Sequence, residues 1–256
     1  MTIFPKHVFV SGAATGMGRS TAEMLLKKGS CVSFIDSNEK DGAAFAKLHG
    51  DNRVNFSCGD VSSRKDAKRA FSSAIERFGP PQGMFLGAGT HISGTVLDCS
   101  DADWDRIVSI NLKGMFLCLQ QGLPHLLKTG GNIVLMGSDQ TFIGKPKSFL
   151  YGLTKGAIGQ MTKSLALDFA AYNIRVNAVC PGTICTPMAE RAVQLWANED
   201  FSGDVRKAWE EEAKFFPLKR IGHPKDVAAL ILFLLSEDSS FMTGANIPID
   251  GGYTAQ

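Results

Sequence analysis

Short apolar runs recur along the chain, separated by longer stretches in which apolar positions return every three or four residues. The runs predict strands near 6–11, 31–36, 53–57, 83–88, 131–137, 174–180 and 245–249. The helical spacing predicts helices near 17–28, 39–48, 63–78, 101–129, 149–171 and 224–236. Strand and helix patterns alternate without a linker or repeat. That order favours one α/β domain over 1–256, a Rossmann-like doubly wound parallel sheet of about seven strands with right-handed crossovers and helices on both faces. The stretch near 188–218 breaks the alternation and carries Trp196, Phe201, Trp209, Phe215 and Phe216, as a cover or a surface subdomain with a small apolar core. On the helix near 149–171, Ile158, Met161, Leu165 and Phe169 make an apolar stripe that must face its own sheet or a partner chain.

In such a sheet ligands lie beyond the carboxyl ends of the strands, near the point where strand order reverses. Gly12, Asp36, Gly87, Ser138 and Pro181 all follow predicted strands and should meet on that edge. The first strand, with Val8-Phe9-Val10, runs into Ser11-Gly12-Ala13-Ala14-Thr15-Gly16-Met17-Gly18 and then a helical pattern. A glycine turn between strand and helix lets backbone approach a pyrophosphate while helix N–H groups face the anion. Gly12 suits the tight turn, Gly16 the close approach and Gly18 the contact of helix with strand. The spacing Gly-x-x-x-Gly-x-Gly differs from Gly-x-Gly-x-x-Gly, and the strand–turn–helix context carries the assignment. Asp36 ends the second strand, where an acid accepts hydrogen bonds from a ribose 2′-hydroxyl and repels a 2′-phosphate. Ser37 is next in the chain, so the expected cofactor is NAD, with Arg19 and Lys40 as the residues that keep NADP open.

Tyr151 and Lys155 stand four apart on a predicted helix and share one face. The spacing predicts that the ammonium stabilises the phenolate and lowers the tyrosine pKa towards working pH. A serine hydroxyl, Ser138, can then orient a carbonyl or alcohol. Tyr-x-x-x-Lys is weak by itself and gains meaning from the dinucleotide turn upstream.

Together these motifs resemble the short-chain dehydrogenase/reductase family, over almost all 256 residues. The resemblance extends to Asp60-Val61, placed by the family beside the adenine, and to Pro181-Gly182-Thr183-Ile184-Cys185-Thr186, where it holds the nicotinamide carboxamide. Asp250-Gly251-Gly252 matches the C-terminal signature, and Asn111 completes an Asn-Ser-Tyr-Lys set. It implies that Tyr151 takes the alcohol proton as hydride leaves carbon, that Lys155 holds the ribose hydroxyls, that Ser138 serves the reacting oxygen and that Asn111 fixes a relaying water. It also implies a mobile lid at 188–218 and a homotetramer packed through long helices. One departure is plain: Leu86-Gly87-Ala88-Gly89 stands where the family has Asn-Asn-Ala-Gly, and both asparagines that steady the sheet are missing. The binding residues implied are Gly12, Thr15, Gly16, Met17, Gly18, Asp36, Asp60, Val61, Gly87, Ala88, Gly89, Tyr151, Lys155, Pro181, Gly182, Ile184 and Thr186.

His91, Asp139 and Gln140 add polar groups near the expected pocket and suit a sugar, polyol or other small hydroxylated alcohol. The aromatic residues of the lid would instead suit a steroid, cyclic alcohol or acyl chain. A ketone or 3-oxoacyl reductase using NADPH, and a non-catalytic dinucleotide sensor, are the rival readings. Composition narrows the rest. A net charge of +2 without a concentrated basic run argues against nucleic acid. The apolar stretch Ala228–Leu235 is too short to span a membrane. Six scattered cysteines and no visible signal peptide favour reduced thiols in the cytoplasm. Five histidines without cysteine pairing give no expected metal site.

Overall fold

The apolar runs become strands β1 (His7–Ser11), β2 (Cys31–Asp36), β3 (Val54–Cys58), β4 (Gly83–Leu86), β5 (Gly131–Met136), β6 (Ile174–Pro181) and β7 (Asn246–Ile249) in the computed structural model, which describes residues 2–256. All pair in parallel, in the order β3-β2-β1-β4-β5-β6-β7, one 7-stranded sheet. Strand order reverses between β1 and β4, as expected of a doubly wound sheet. Because side chains alternate along a strand, each strand feeds two cores. Val8, Val10, Phe85, Val134 and Val179 pack under helices α1 (Gly16–Lys27), α2 (Glu39–His49) and α9 (Pro224–Leu235). Phe9, Met84, Leu86, Ile133, Leu135 and Ala178 pack on the other face, against α3 (Arg64–Phe78), α5 (Gly114–Thr129) and α6 (Phe149–Phe169). There Phe9 stacks on Phe71 with ring centroids 3.8 Å apart. Truncating such a buried ring typically costs about 3–5 kcal/mol.

The stripe on α6 faces its own sheet. Ile158 is fully buried, and Met161, Leu165 and Phe169 pack against the same core. Two differences from the pattern-based expectation bear on the site. β4 stops at Leu86 rather than 88, because the chain turns towards β1 and Gly87 N–H donates to Ser11 O at 3.1 Å. The helix expected over 101–129 is a helical run of three parts: α4 (Asp101–Val108), a π-helical turn at Ser109–Lys113, and α5. Such wide turns often re-aim a side chain at a functional site. Here the turn holds Asn111, and Gly114 just after it lets Val61 pack so close that a Cβ would sit 2.7 Å from Val61 Cγ2. The break in alternation contains α7 (Pro187–Asp200) and α8 (Val205–Lys214).

His7 is buried in β1, its Nδ1 2.8 Å from Gly79 O and its Nε2 2.8 Å from Ser33 Oγ. Burial pushes its pKa down to about 4, against the opposing pull of the Gly79 and Pro80 carbonyls. The unfolded chain therefore takes up this proton first, and stability falls as pH drops through 6.5 towards 4. The expected loss from this group is about 2 kcal/mol by pH 5. Urea unfolding at pH 7 and pH 5 checks it. His7→Gln, an amide that does not titrate, should be the less acid-sensitive protein, and an equal pH dependence in both would remove His7 as the cause.

Candidate active site

β1 delivers the chain into a turn that only small residues allow. Gly12 has φ +80°, and a Cβ there would lie 2.8 Å from Ala88 Cα. A Cβ on Gly18 would overlap Gly12 O, so α1 rides directly on the turn. Thr15 caps α1 without a side-chain bond, and its first turn holds no acid. The N–H groups of that turn are thus presented to an anion, which fits a dinucleotide pyrophosphate. Asp36 stands beside it, one carboxylate oxygen accepting from Ala14 N–H and the other from Asn38 N–H, each at 2.9 Å. Asp60 Oδ1 accepts from both the N–H and the hydroxyl of Ser62 at 2.8 Å, and Val61 is buried.

The missing asparagine pair has a local replacement. Leu86 is fully buried in the core, and Ser11 fastens the two residues beyond it: the Ser11 carbonyl takes Gly87 N–H and the Ser11 hydroxyl takes Ala88 N–H at 3.2 Å. Ser11 was not among the sequence candidates, although its place as the last residue of β1 puts its hydroxyl on the ligand edge. Asn111 works at the same edge. Its Oδ1 accepts from Thr90 N–H at 2.8 Å, and its amide donates to Thr90 O at 3.0 Å and to Thr154 Oγ1 at 3.1 Å. Asn111 thereby ties the loop after β4 to α6 rather than bonding within its own helix.

One cleft of ≈ 320 Å³ gathers many of the expected residues. Met17 comes from the glycine turn, His91 from the loop after β4, Ser138, Asp139 and Gln140 from the 3₁₀ turn after β5, and Tyr151 from α6. Pro181, Gly182, Ile184 and Thr186 enter after β6. Gly12, Thr15, Gly16, Gly18, Asp36, Asp60, Val61 and Gly87–Gly89 do not line this cleft; they continue the same sheet edge. Gly16 links the two parts, since a Cβ on it would meet Thr186 Cγ2 at 3.4 Å.

α7 and α8 close one side. They share a small core of Val193, Ala197 and Ala208 with Trp196, Phe201, Val205 and Trp209. Of the five aromatic residues named in 188–218, Trp196 is the one that lines the cleft among the described residues. Phe216 instead packs on Tyr253, with ring centroids 5.3 Å apart. The aromatic residues therefore serve mainly the subdomain, which weakens their support for a steroid or acyl substrate. Thr183 Oγ1 donates to Glu212 Oε1 at 2.6 Å and so joins the segment after β6 to α8. Asp250 accepts from Gly252 N–H, Thr254 N–H and the Thr254 hydroxyl, which folds the C-terminal turn back towards this region.

Lys155 is buried, and Tyr151 is half-buried in the wall of the cleft. Lys155 Nζ donates to Met136 O at 2.8 Å and sits 5.3 Å from the Tyr151 ring centroid. Burial brings its pKa down to about 8. Burial pushes the Tyr151 phenol well above its usual range; the Ser138 hydroxyl pulls it back and the Asp139 charge pushes it further up. The acidified phenol expected from the Tyr-x-x-x-Lys spacing is thus corrected: in the protein alone, desolvation outweighs the ammonium. Ser138 Oγ donates to Asp139 Oδ1 at 2.7 Å and accepts from Gln140 N–H at 3.2 Å. Asp139 is buried, and its other oxygen lies 2.6 Å from Lys145 Nζ. Lys145, which no sequence pattern marked, also lies 4.5 Å from the Tyr253 ring centroid. His91 meets Tyr151 edge to face at 4.8 Å, and burial together with Lys145 keeps its pKa below the ordinary value. No cluster of metal-binding side chains occurs among the described residues.

Comparison with known proteins agrees with this geometry. A family model described as Enoyl-(Acyl carrier protein) reductase matches residues 12–254. The meso-2,3-butanediol dehydrogenase of Serratia marcescens is 34% identical over 250 residues, covering 98% of this chain and 95% of that protein. A solved short chain dehydrogenase family protein from Francisella tularensis superposes with a TM-score of 0.88 at 38% identity, covering 98% of this chain and 99% of that one. The crystal structure of a levodione reductase superposes with a TM-score of 0.91 at 32% identity over 98% of both chains.

The Asp139–Lys145 pair has an energetic signature. Removing Lys145 strands a buried carboxylate, whereas removing both charges does not. Lys145→Met should cost about 2–3 kcal/mol of unfolding free energy, and adding Asp139→Asn should recover at least half of that. Denaturant melts of the two single variants and the double variant measure the coupling, and strictly additive losses would show that the pair does not act as a unit.

Proposed function

We propose, for a chain that belongs to the short-chain dehydrogenase/reductase family, that this cleft oxidises a small hydroxylated secondary alcohol, such as a sugar or polyol, with NAD as hydride acceptor. The protein is an oxidoreductase acting on CH–OH groups with a nicotinamide dinucleotide. One observation carries the finer reading: Ser138 and Tyr151 face each other in a cleft on the sheet edge that also carries the glycine turn, with Lys155 buried one helical turn further on.

The bound nicotinamide supplies a positively charged ring that accepts hydride. Burial keeps Tyr151 protonated in the protein alone; against that cation, and with Lys155 on its other side, Tyr151 gains access to its phenolate form. Tyr151 then removes the hydroxyl proton as the C–H bond breaks. Ser138 donates its proton to Asp139 in the protein alone; turned to the reacting oxygen, the same hydroxyl would donate there as that oxygen loses its proton. Asn111 positions the loop bearing Thr90 and His91; a water relay would pass its remaining Oδ1 lone pair or its backbone, since both amide hydrogens are engaged.

Asp36 supports NAD over NADP. Its carboxylate is held by two backbone N–H groups at the end of β2. Arg19, one of the two residues that keep NADP open, pairs with Glu23 at 3.2 Å and lies 5.2 Å from the Phe45 ring centroid. The α7–α8 pair fits the role of a lid over the cleft. Exposed apolar residues on α4–α6, among them Trp104, Phe116, Leu153 and Leu167, support a homotetramer. No helix among the described residues is long and apolar enough to cross a membrane, and the six cysteines are unpaired; the cytoplasm is the compartment this reading assigns.

Tyr151→Phe tests the core of this reading. It should keep NADH binding, read by fluorescence, and lose about 10²–10⁴ in turnover, the usual worth of a general acid–base group. Turnover within a few-fold of the parent would refute the role. Asp36→Ala tests the cofactor: the ratio of kcat/KM for NAD over NADP should fall by about tenfold or more, equivalent to ~1.4 kcal/mol. A ratio that stays put would show that another group makes the choice.

A further inference from the structure

Two polar groups in the cleft wall have no partner. Gln140 is 9% exposed, and its Oε1 is buried without a hydrogen-bond partner among the described residues. Ser148 is 6% exposed, and its Oγ is likewise unpartnered. Ser148 stands at the N-cap of α6, yet its hydroxyl makes no cap bond. Both residues line the cleft that contains Ser138 and Tyr151. Buried polar groups in folded proteins nearly always have partners, so two vacant ones in a single pocket wall call for a ligand.

The backbone that carries each group is held in place. Gln140 N–H donates to Ser138 Oγ at 3.2 Å, which fixes its backbone in the 3₁₀ turn. Gly152 makes room for the amide, since a Cβ there would lie 3.1 Å from Gln140 Oε1. The chain around Ser148 is pinned to the loop after β4, with Gly94 N–H donating to Lys147 O at 2.8 Å and Phe149 N–H to Gly94 O at 3.2 Å. The two vacant groups repeat the arrangement of the reacting pair. Ser138 and Gln140 sit two residues apart at the 3₁₀ turn. Ser148 and Tyr151 sit three apart at the start of α6, about 4.5 Å along the axis. Each pair draws one residue from the turn and one from the helix.

We propose that Gln140 and Ser148 hold a second substrate oxygen, on the carbon next to the one that reacts. The substrate class is then a vicinal diol, or an α-hydroxyketone in the reverse direction. In oxidation the reacting carbon gives its hydride to the oxidised nicotinamide dinucleotide and its hydroxyl proton to Tyr151. The diol becomes an α-hydroxyketone, and the second hydroxyl keeps its proton while bonding to Gln140 and Ser148. Met188, Val193 and Trp196 face the rest of the molecule, so short apolar substituents suit the remainder. This rests on the dehydrogenase reading above and names the substrate class for the same site.

The test uses three alcohols on one carbon skeleton: a vicinal diol, the matching mono-ol, and a diol with its hydroxyls at opposite ends. The parent protein should prefer the vicinal diol over both others by about 100-fold in kcat/KM, because a site built for a hydroxyl rejects an analogue lacking it. Gln140→Met and Ser148→Ala should each shrink that preference about tenfold or more, in keeping with the loss of one buried hydrogen bond. A parent preference within threefold, or a preference unchanged in both variants, would overturn the second oxygen site while leaving hydride transfer intact. No turnover of any of the three alcohols with either nucleotide would overturn the dehydrogenase reading and this inference together.

Discussion

The structure depends on how closely β1 and β4 approach at the point where the strand order reverses. Their loops must part to opposite faces of the sheet, yet they touch: a Cβ on Gly12 would meet Ala88 Cα at 2.8 Å. That contact leaves no room for a side chain and brings Ser11 within reach of both Gly87 and Ala88 N–H groups. The edge is therefore rigid where a dinucleotide must lie. Everything downstream inherits this geometry, since Thr90 and His91 continue the same loop and Asn111 clamps it to α6. Where Leu86-Gly87 stands in place of an asparagine pair, the carbonyl and hydroxyl of Ser11 hold the N–H groups of Gly87 and Ala88. A leucine at 86 then adds to the core instead of interrupting it.

The features legible in the sequence were those set by local rules. Continuous apolar runs and helical spacing found every strand and the main helices, since a strand covered on both faces reads as an unbroken apolar run. The convergence of Gly12, Asp36, Ser138 and Pro181 came from parallel connectivity alone. The π-helical turn at Ser109–Lys113 was invisible because the apolar spacing of a helix continues smoothly across it. Lys145 was invisible for a different reason. Its partner Asp139 is close in sequence, but only the full fold buries that carboxylate and gives the pairing its energetic weight. Ser148 carried no signal in the sequence, and nothing there says that the hydroxyl at the start of α6 makes no cap bond.

The Tyr151 phenol is the instructive reversal. Spacing places an ammonium nearby and suggests acidification, whereas burial acts in the opposite direction and dominates. A pKa is a balance over the whole environment, and desolvation cannot be read from a four-residue interval. The same burial lowers Lys155 to about 8, so it remains mostly charged at neutral pH. The pair is poised only in the presence of a strong added field, such as an adjacent cation, which brings the phenolate within reach.

This poise gives a reason for coupling the two transfers. A low-dielectric cleft penalises any change in its net charge far more than water would. Moving hydride to a cationic ring removes one positive charge. Moving a proton to phenolate removes one negative charge. Made together, the two leave no new charge on the substrate; either alone leaves it carrying a full charge, as an oxocarbenium cation or an alkoxide. The Asp139–Lys145 pair is internally neutral and leaves that balance undisturbed, while Asp139 accepts the Ser138 proton in the protein alone. Burial that opposes catalysis by raising the Tyr151 pKa therefore also favours a concerted path, because separated charges are what the cleft stabilises least.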